Sequence, residues 1–178
     1  AAFVLRYSTK LVSNSRRRSV NMSLVNEKVR HIPKQMLPDW MMAGRTRILS
    51  SCDIKDSNDE QEGSVVYWMQ RDVRTADNWA LCLALHFANA RKMPLHVLYA
   101  LPPSPAETKD EIPDLLHMPT TVRYGKFLLG GLECVYNELK ERNIPLHVVQ
   151  AESNENVGKT VCESLDSISA KVVVTDMS

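Results

Sequence analysis

An α/β fold is the architecture this chain predicts, and three observations carry the expectation. Apolar blocks of strand length occur at residues 65–69 (VVYWM), 95–101 (LHVLYAL), 146–151 (LHVVQA) and 171–175 (KVVVT), and they are rich in β-forming residues. Each block is separated from the next by a single segment of helical character, and strands so connected run parallel through right-handed crossovers. Unbroken runs such as VVYWM and VVV suit strands covered on both faces. The expectation is a Rossmann-like parallel sheet with helices on both faces, preceded by an irregular N-terminal tail.

In chain order, residues 1–26 hold Arg6, Lys10, Arg16, Arg17 and Arg18, several serines, and no acid before Glu27. That composition fits a mitochondrial transit peptide, a disordered basic tail or a nuclear signal built on RRR, so the compartments implied are the mitochondrion and the nucleus. Residues 27–43 add Pro33 and Pro38 with little periodicity. We therefore read 1–43 as a disordered tail and 44–178 as one α/β domain. Residues 53–63 are acidic and polar, as in a solvated linker. Beyond the first strand, Thr75 or Asp77 is placed to cap a helix over about 76–92, and Asp77 also suits the positive end of its dipole. That helix is apolar on nearly all sides, the mark of one covered on more than one face. Pro94 ends it. The second strand leads into a connection with five prolines, 102–119. Loops of that length carry function or a short helix of their own. Thr120 or Thr121 caps the next helix, whose stripe is Leu128, Leu132, Val135 and Leu139, and Asn143 and Pro145 end it. Strand 146–151, a helix over 156–168 with Val157, Val161 and Leu165 on one face, and strand 171–175 complete the pattern.

A chain of 178 residues holds one domain with a proper core plus a tail. Its 22 Lys and Arg balance 21 Asp and Glu, without the basic excess of a nucleic-acid-binding domain. No apolar run approaches the roughly 20 residues of a membrane span, so no membrane partner is expected. Cys52, Cys82, Cys134 and Cys162 include no C-x-x-C pair, and His31, His86, His96, His117 and His147 show no H-x-x-x-H spacing. No metal site is expected. The cysteines read as reduced, small apolar groups, and His96 and His147, each within PLHV, as strand residues rather than ligands.

Ligands on such sheets sit beyond the carboxyl ends of the strands. Those ends are 69–74, 101–105, 151–155 and Asp176. Neither G-x-G-x-x-G nor G-x-x-x-x-G-K-[ST] is present, and Gly125, Gly130 and Gly131 lie inside the second helix, where they permit close packing. No Ser-His-Asp or Cys-His set can be assembled, so no catalytic residue is assigned. Asp176 at a strand end is either catalytic or, more commonly, a cap or interface group. The joint Gln70-Arg71-Asp72-Val73-Arg74 lacks the Gly, Asn or Pro of a plain turn. Two readings stand: a salt-bridged cap over the first helix made by Arg71, Asp72, Arg74 and Asp77, or a set of ligand contacts. Most strand-end charges are structural.

The run YWMQRD-x-R-x-x-DNWAL, residues 67–81, resembles the opening strand, loop and helix of the DNA photolyase/cryptochrome family, in the form found in class II cyclobutane pyrimidine dimer photolyases. RTRIL (45–49), MPLHVLYAL (93–101), RYGKFLLGGLECVYNELKERNIPLHVV (123–149) and VVVTD (172–176) agree in order and spacing, so the resemblance covers about 44–178. It implies a strand order of 3-2-1-4 and a light-dependent DNA repair enzyme, monomeric at full length. Such an enzyme splits UV-induced pyrimidine dimers by electron transfer from reduced FAD and meets UV-damaged DNA through a second, helical domain. It further implies an antenna pigment, a deazaflavin or a folate, near Arg71, Asp72 and Leu101, with Arg74 reaching toward the helical domain. The chain begins with Ala and stops where a strand ends, and we expect it to be the N-terminal antenna domain, cut before its last strand and before the FAD-binding domain, and inactive alone. Its last strand is then expected at an uncovered sheet edge. The alternatives are a cryptochrome-like light-signalling receptor and a stand-alone nucleotide-binding α/β domain, which would need a glycine-rich phosphate loop.

Overall fold

The computed structural model describes residues 2–6, 31–50, 63–101 and 122–176. The basic stretch at 7–30, the acidic linker, the proline-rich connection, the caps at Thr120 or Thr121, Cys52 and His117 lie outside them. Six strands and three α-helices are described in the order β1 (Ala2–Arg6), β2 (Thr46–Ser50), β3 (Ser64–Met69), α1 (Trp79–Arg91), β4 (Leu95–Leu101), α2 (Val122–Glu141), β5 (Leu146–Gln150), α3 (Val157–Ser167) and β6 (Ala170–Asp176).

The four strands expected from the apolar blocks are β3, β4, β5 and β6. They are all parallel to one another, and their order across the sheet is β5-β4-β3-β6, the expected 3-2-1-4. Alternation explains why these strands read as continuous apolar runs. Val65, Tyr67 and Met69 of β3, with Val172 and Val174 of β6, face a core shared with α1 and α2. Val66 and Val173 face the opposite core, closed by Val161 and Leu165 of α3. Both faces are thus covered, as parallel sheets require.

Two departures concern the N-terminal region. Residues 2–6, read as part of a disordered tail, form β1, which pairs antiparallel with β6 (Ala2↔Asp176, Val4↔Val174) and parallel with β2. The strand at 170–176 is therefore not the uncovered edge that the resemblance implied, because the chain's own first strand lies against it. Residues 31–43 are irregular but packed: Ile32, Leu37 and Met41 are buried in the larger core. Pro33 and Pro38 erase any helical or strand period there, so three apolar anchors held by short turns leave no periodic signal. Thr46 ties this segment down, since its hydroxyl donates to the Ala43 carbonyl and its carbonyl accepts from His31 Nδ1.

Helix α1 buries Ala80, Leu81, Leu83, Ala84, Phe87 and Ala88. Its remaining face, apolar in sequence, is only lightly covered. Trp79 stays 52% exposed, with Trp40 against it at 5.6 Å and the Arg45 guanidinium 5.8 Å above its ring. Among the described residues, a Cβ at Gly131 of α2 would meet Val73, whereas one at Gly125 or Gly130 would meet nothing within 4 Å, so the close packing expected at those two is not seen there. Cys82, Cys134 and Cys162 lie on exposed helix faces rather than among apolar groups.

Candidate functional site

The carboxyl ends of β3 and β6 meet at the joint that sequence alone singled out. Residues 70–74 leave the sheet as an irregular loop, and α1 starts at Trp79 rather than at residue 76. Neither Thr75 nor Asp77 caps the helix. Asn78 does, its side-chain oxygen accepting from the Leu81 N–H at 2.9 Å. The reason is that Asn78 is fully buried beneath the loop and serves both ends of its amide. Its Nδ2 group donates to the Tyr67 hydroxyl at 2.9 Å and to the carbonyls of Asp72 at 3.1 Å and Arg74 at 2.9 Å. The Thr75 hydroxyl is spent on Glu138 of α2, and Asp77 adopts a left-handed backbone, φ 51°.

Asp176, at the end of β6, is the second organiser. Its carboxylate is buried and takes four donors. Oδ1 accepts from the Gln70 N–H at 2.8 Å and the Tyr67 hydroxyl at 3.2 Å. Oδ2 accepts from the N–H groups of Arg71 at 2.7 Å and Asp72 at 2.9 Å. Of the two roles considered for Asp176, the geometry is that of a cap: it ties the loop after β3 to the end of β6. Beside it the Gln70 side chain donates to the Thr175 hydroxyl, which donates in turn to the Trp68 carbonyl. Burial, helped by the nearby Asp176 carboxylate, pushes the Tyr67 phenol far above its ordinary range and keeps it protonated.

The expected ligand residues can be placed on this frame. Arg71 and Asp72 have their backbones fixed by Asp176 while their side chains are exposed. Leu101 is half-buried at the end of the neighbouring β4. A four-residue salt-bridged cap is not what the loop forms. Its one ion pair among these residues, Arg74 with Asp72, is 4.0 Å long and solvent-exposed on both sides, a geometry of little energetic weight.

Sequence reasoning missed Asn78 and Tyr67, and it placed His96 and His147 correctly in strands without foreseeing that they pair. His96 and His147 sit on adjacent parallel strands with Nδ1 of the first 2.9 Å from Nε2 of the second, so one ring donates to the other. Burial, then the charge of His147, lowers the His96 pKa. The repeated PLHV was the available signal, since equivalent positions of neighbouring parallel strands share a face. The pair lies toward the amino ends of β4 and β5, away from the crevice. No group of three or more metal-ligating side chains occurs among the described residues.

The described residues of the site include no phosphate-binding glycine loop, and the three amides after β3 donate to Asp176. Comparison with known proteins agrees with the motif resemblance. The chain is 36% identical over 106 residues to the deoxyribodipyrimidine photo-lyase of Potorous tridactylus, covering 59% of this chain and 17% of that protein. It is 33% identical over 135 residues to the deoxyribodipyrimidine photo-lyase of Arabidopsis thaliana, covering 76% and 24% respectively. A third relative of that name, from Methanothermobacter thermautotrophicus, is 39% identical over 93 residues, covering 52% and 18%. The chain thus spans no more than about a quarter of the length of these relatives. A family model for DNA photolyase matches residues 65–178, which run from β3 through β6 and include every residue of the joint, and on that match the chain belongs to the DNA photolyase family.

Proposed function

We propose that this domain is the antenna half of a class II photolyase, a light-dependent enzyme that splits cyclobutane pyrimidine dimers in UV-damaged DNA. The observation that carries the reading is the β3–α1 joint. The residues of the family resemblance, 67–81, form a loop whose backbone is locked from beneath by Asp176 and Asn78 while Arg71 and Asp72 stay exposed at the ligand edge of the sheet. These two side chains, with Leu101 as an apolar neighbour, suit the polar edge of a planar pigment such as a deazaflavin or a folate. The pigment would supply light absorption. The chain's own part is to orient it, with Arg71 offering a fixed set of donors and Asp72 an acceptor. FAD and the DNA contacts belong to polypeptide beyond these residues, in the helical domain that the longer relatives have room for.

The test is light-dependent repair by the chain extended through its downstream coding sequence. Illumination with a dimer-containing oligothymidylate should restore thymine absorbance, and the 178-residue chain should neither retain flavin nor repair. Arg71→Ala in the extended protein should reduce repair under limiting light far more than under saturating light, because an antenna affects photon capture rather than chemistry. An extended, flavin-loaded protein without repair would remove the enzymatic reading in favour of light signalling.

A further inference from the structure

In α/β sheets that hold nucleotides, consecutive backbone N–H groups at the first strand-to-helix joint converge on a phosphate. The N–H groups of Gln70, Arg71 and Asp72 converge in the same way, yet the anion they hold is the Asp176 carboxylate, at 2.8, 2.7 and 2.9 Å. We infer that Asp176 is a resident anion that closes this cradle to phosphate, so that the crevice takes a ligand bearing no phosphate at the β3–α1 joint. The inference rests on the crevice being the ligand site proposed above, and it narrows the chemistry of what binds there.

Three features make displacement of Asp176 by a ligand phosphate unfavourable. The carboxylate is tethered to β6, so its competition for the amides is intramolecular and independent of concentration. It arrives from beneath, at 6% exposure, and a displaced Asp176 would lose its three amide donors and keep only the Tyr67 hydroxyl, a costly case for a buried charge. Two anions cannot share one set of three amides without strong repulsion. The groups left to recognise a ligand are therefore side chains, Arg71 and Asp72 on the polar side and Leu101 on the apolar side. They select an uncharged or carboxylate-bearing planar heterocycle over a nucleotide docked by its phosphate.

The experiment is a titration of the isotope-labelled 178-residue chain with inorganic phosphate and, separately, with adenosine monophosphate, following the amide resonances of Gln70, Arg71 and Asp72. In the wild-type chain these amides should show no saturable shift. In Asp176→Gly, which empties the cradle without adding bulk, the same three amides should shift saturably with phosphate or acetate, and the melting temperature should rise with either anion. Saturable phosphate shifts in the wild-type chain overturn the inference, as does a folded Asp176→Gly that responds to neither anion. Should that variant not fold, the wild-type titration decides alone. Failure of the extended protein to repair DNA would leave these shifts unchanged, so the two proposals fail separately.

Discussion

Asn78→Ala should destabilise the chain by about 3–4 kcal/mol, a figure assembled from what its amide does. Loss of an N-cap acceptor costs about 1 kcal/mol. Removing the donor takes one of the two partners of the buried Tyr67 hydroxyl, which still donates to Asp176, and leaves unpaired two loop carbonyls that water can partly reach, for about 1–2 kcal/mol together. The void left by a fully buried side chain adds about 1 kcal/mol. Domains of this size have total stabilities of about 5–15 kcal/mol, so the loss is a large share. Asn78→Asp separates the two roles, because aspartate caps helices as well as asparagine does. Were capping the whole role, that variant would be neutral. Here its carboxylate would face the Tyr67 oxygen and two carbonyls with no proton to offer, and it should cost at least as much as alanine. Equilibrium urea unfolding at neutral pH, followed by circular dichroism with m-values compared, measures both. A wild-type midpoint for Asn78→Asp, or a loss below about 1 kcal/mol for Asn78→Ala, would refute the argument that the loop hangs from this amide.

The histidine pair makes stability depend on pH. Because the His96 pKa is lowered in the folded chain by burial and then by His147, the unfolded chain takes up the proton first. Stability is thus full above the unfolded value of about 6.5 and declines as pH falls below it. Urea midpoints should drop between about pH 7.5 and pH 5.5, and His96→Val should flatten the decline; equal slopes in both proteins would exclude the pair as its source. Gly125→Ala, in helix α2 where an added Cβ meets nothing within 4 Å, should stabilise by about 0.5–1 kcal/mol in thermal melts, and a loss would show that the glycine is needed for something the domain alone does not contain.

The parallel core was legible because burial on both faces writes itself into composition. Residues 65–69 and 172–174 are apolar without alternation, and few settings besides a strand covered on both faces produce that pattern. The single-helix crossovers implied that the strands run parallel, and the family resemblance supplied their order. Sheet edges were not legible. AFVLR at 2–6 becomes a strand only because β6 presents a partner, a property of the assembled sheet rather than of the five residues. At the joint, the residues that attract the eye, Arg71, Asp72 and Arg74, proved to be the supported ones. Their supports, Asn78 and Asp176, look ordinary in sequence because a buried hydrogen bond leaves no period and its partners lie far apart along the chain. Local chemistry misplaces the helix start for the same reason: Thr75 and Asp77 are both good caps, but Asn78 alone sits above the Tyr67 hydroxyl.

The central position of β6 bears on how the chain can fold. Tyr67 and Asp176, bonded to each other, are 109 positions apart, and β6 lies between β3 on one side and β1 on the other. The sheet therefore consists of two pieces, β5-β4-β3 and β1-β2, that share no hydrogen-bonded strand until residues 170–176 arrive. During synthesis that strand is the last of the six to leave the ribosome. Until it does, β3 keeps an apolar edge open and the loop after it has no carboxylate to organise it. Pairings of such long range are slow to form, and open edges recruit other chains. A nascent chain paused before residue 170 would expose both, whereas one that has released β6 can close the sheet and order the loop after β3 in a single event.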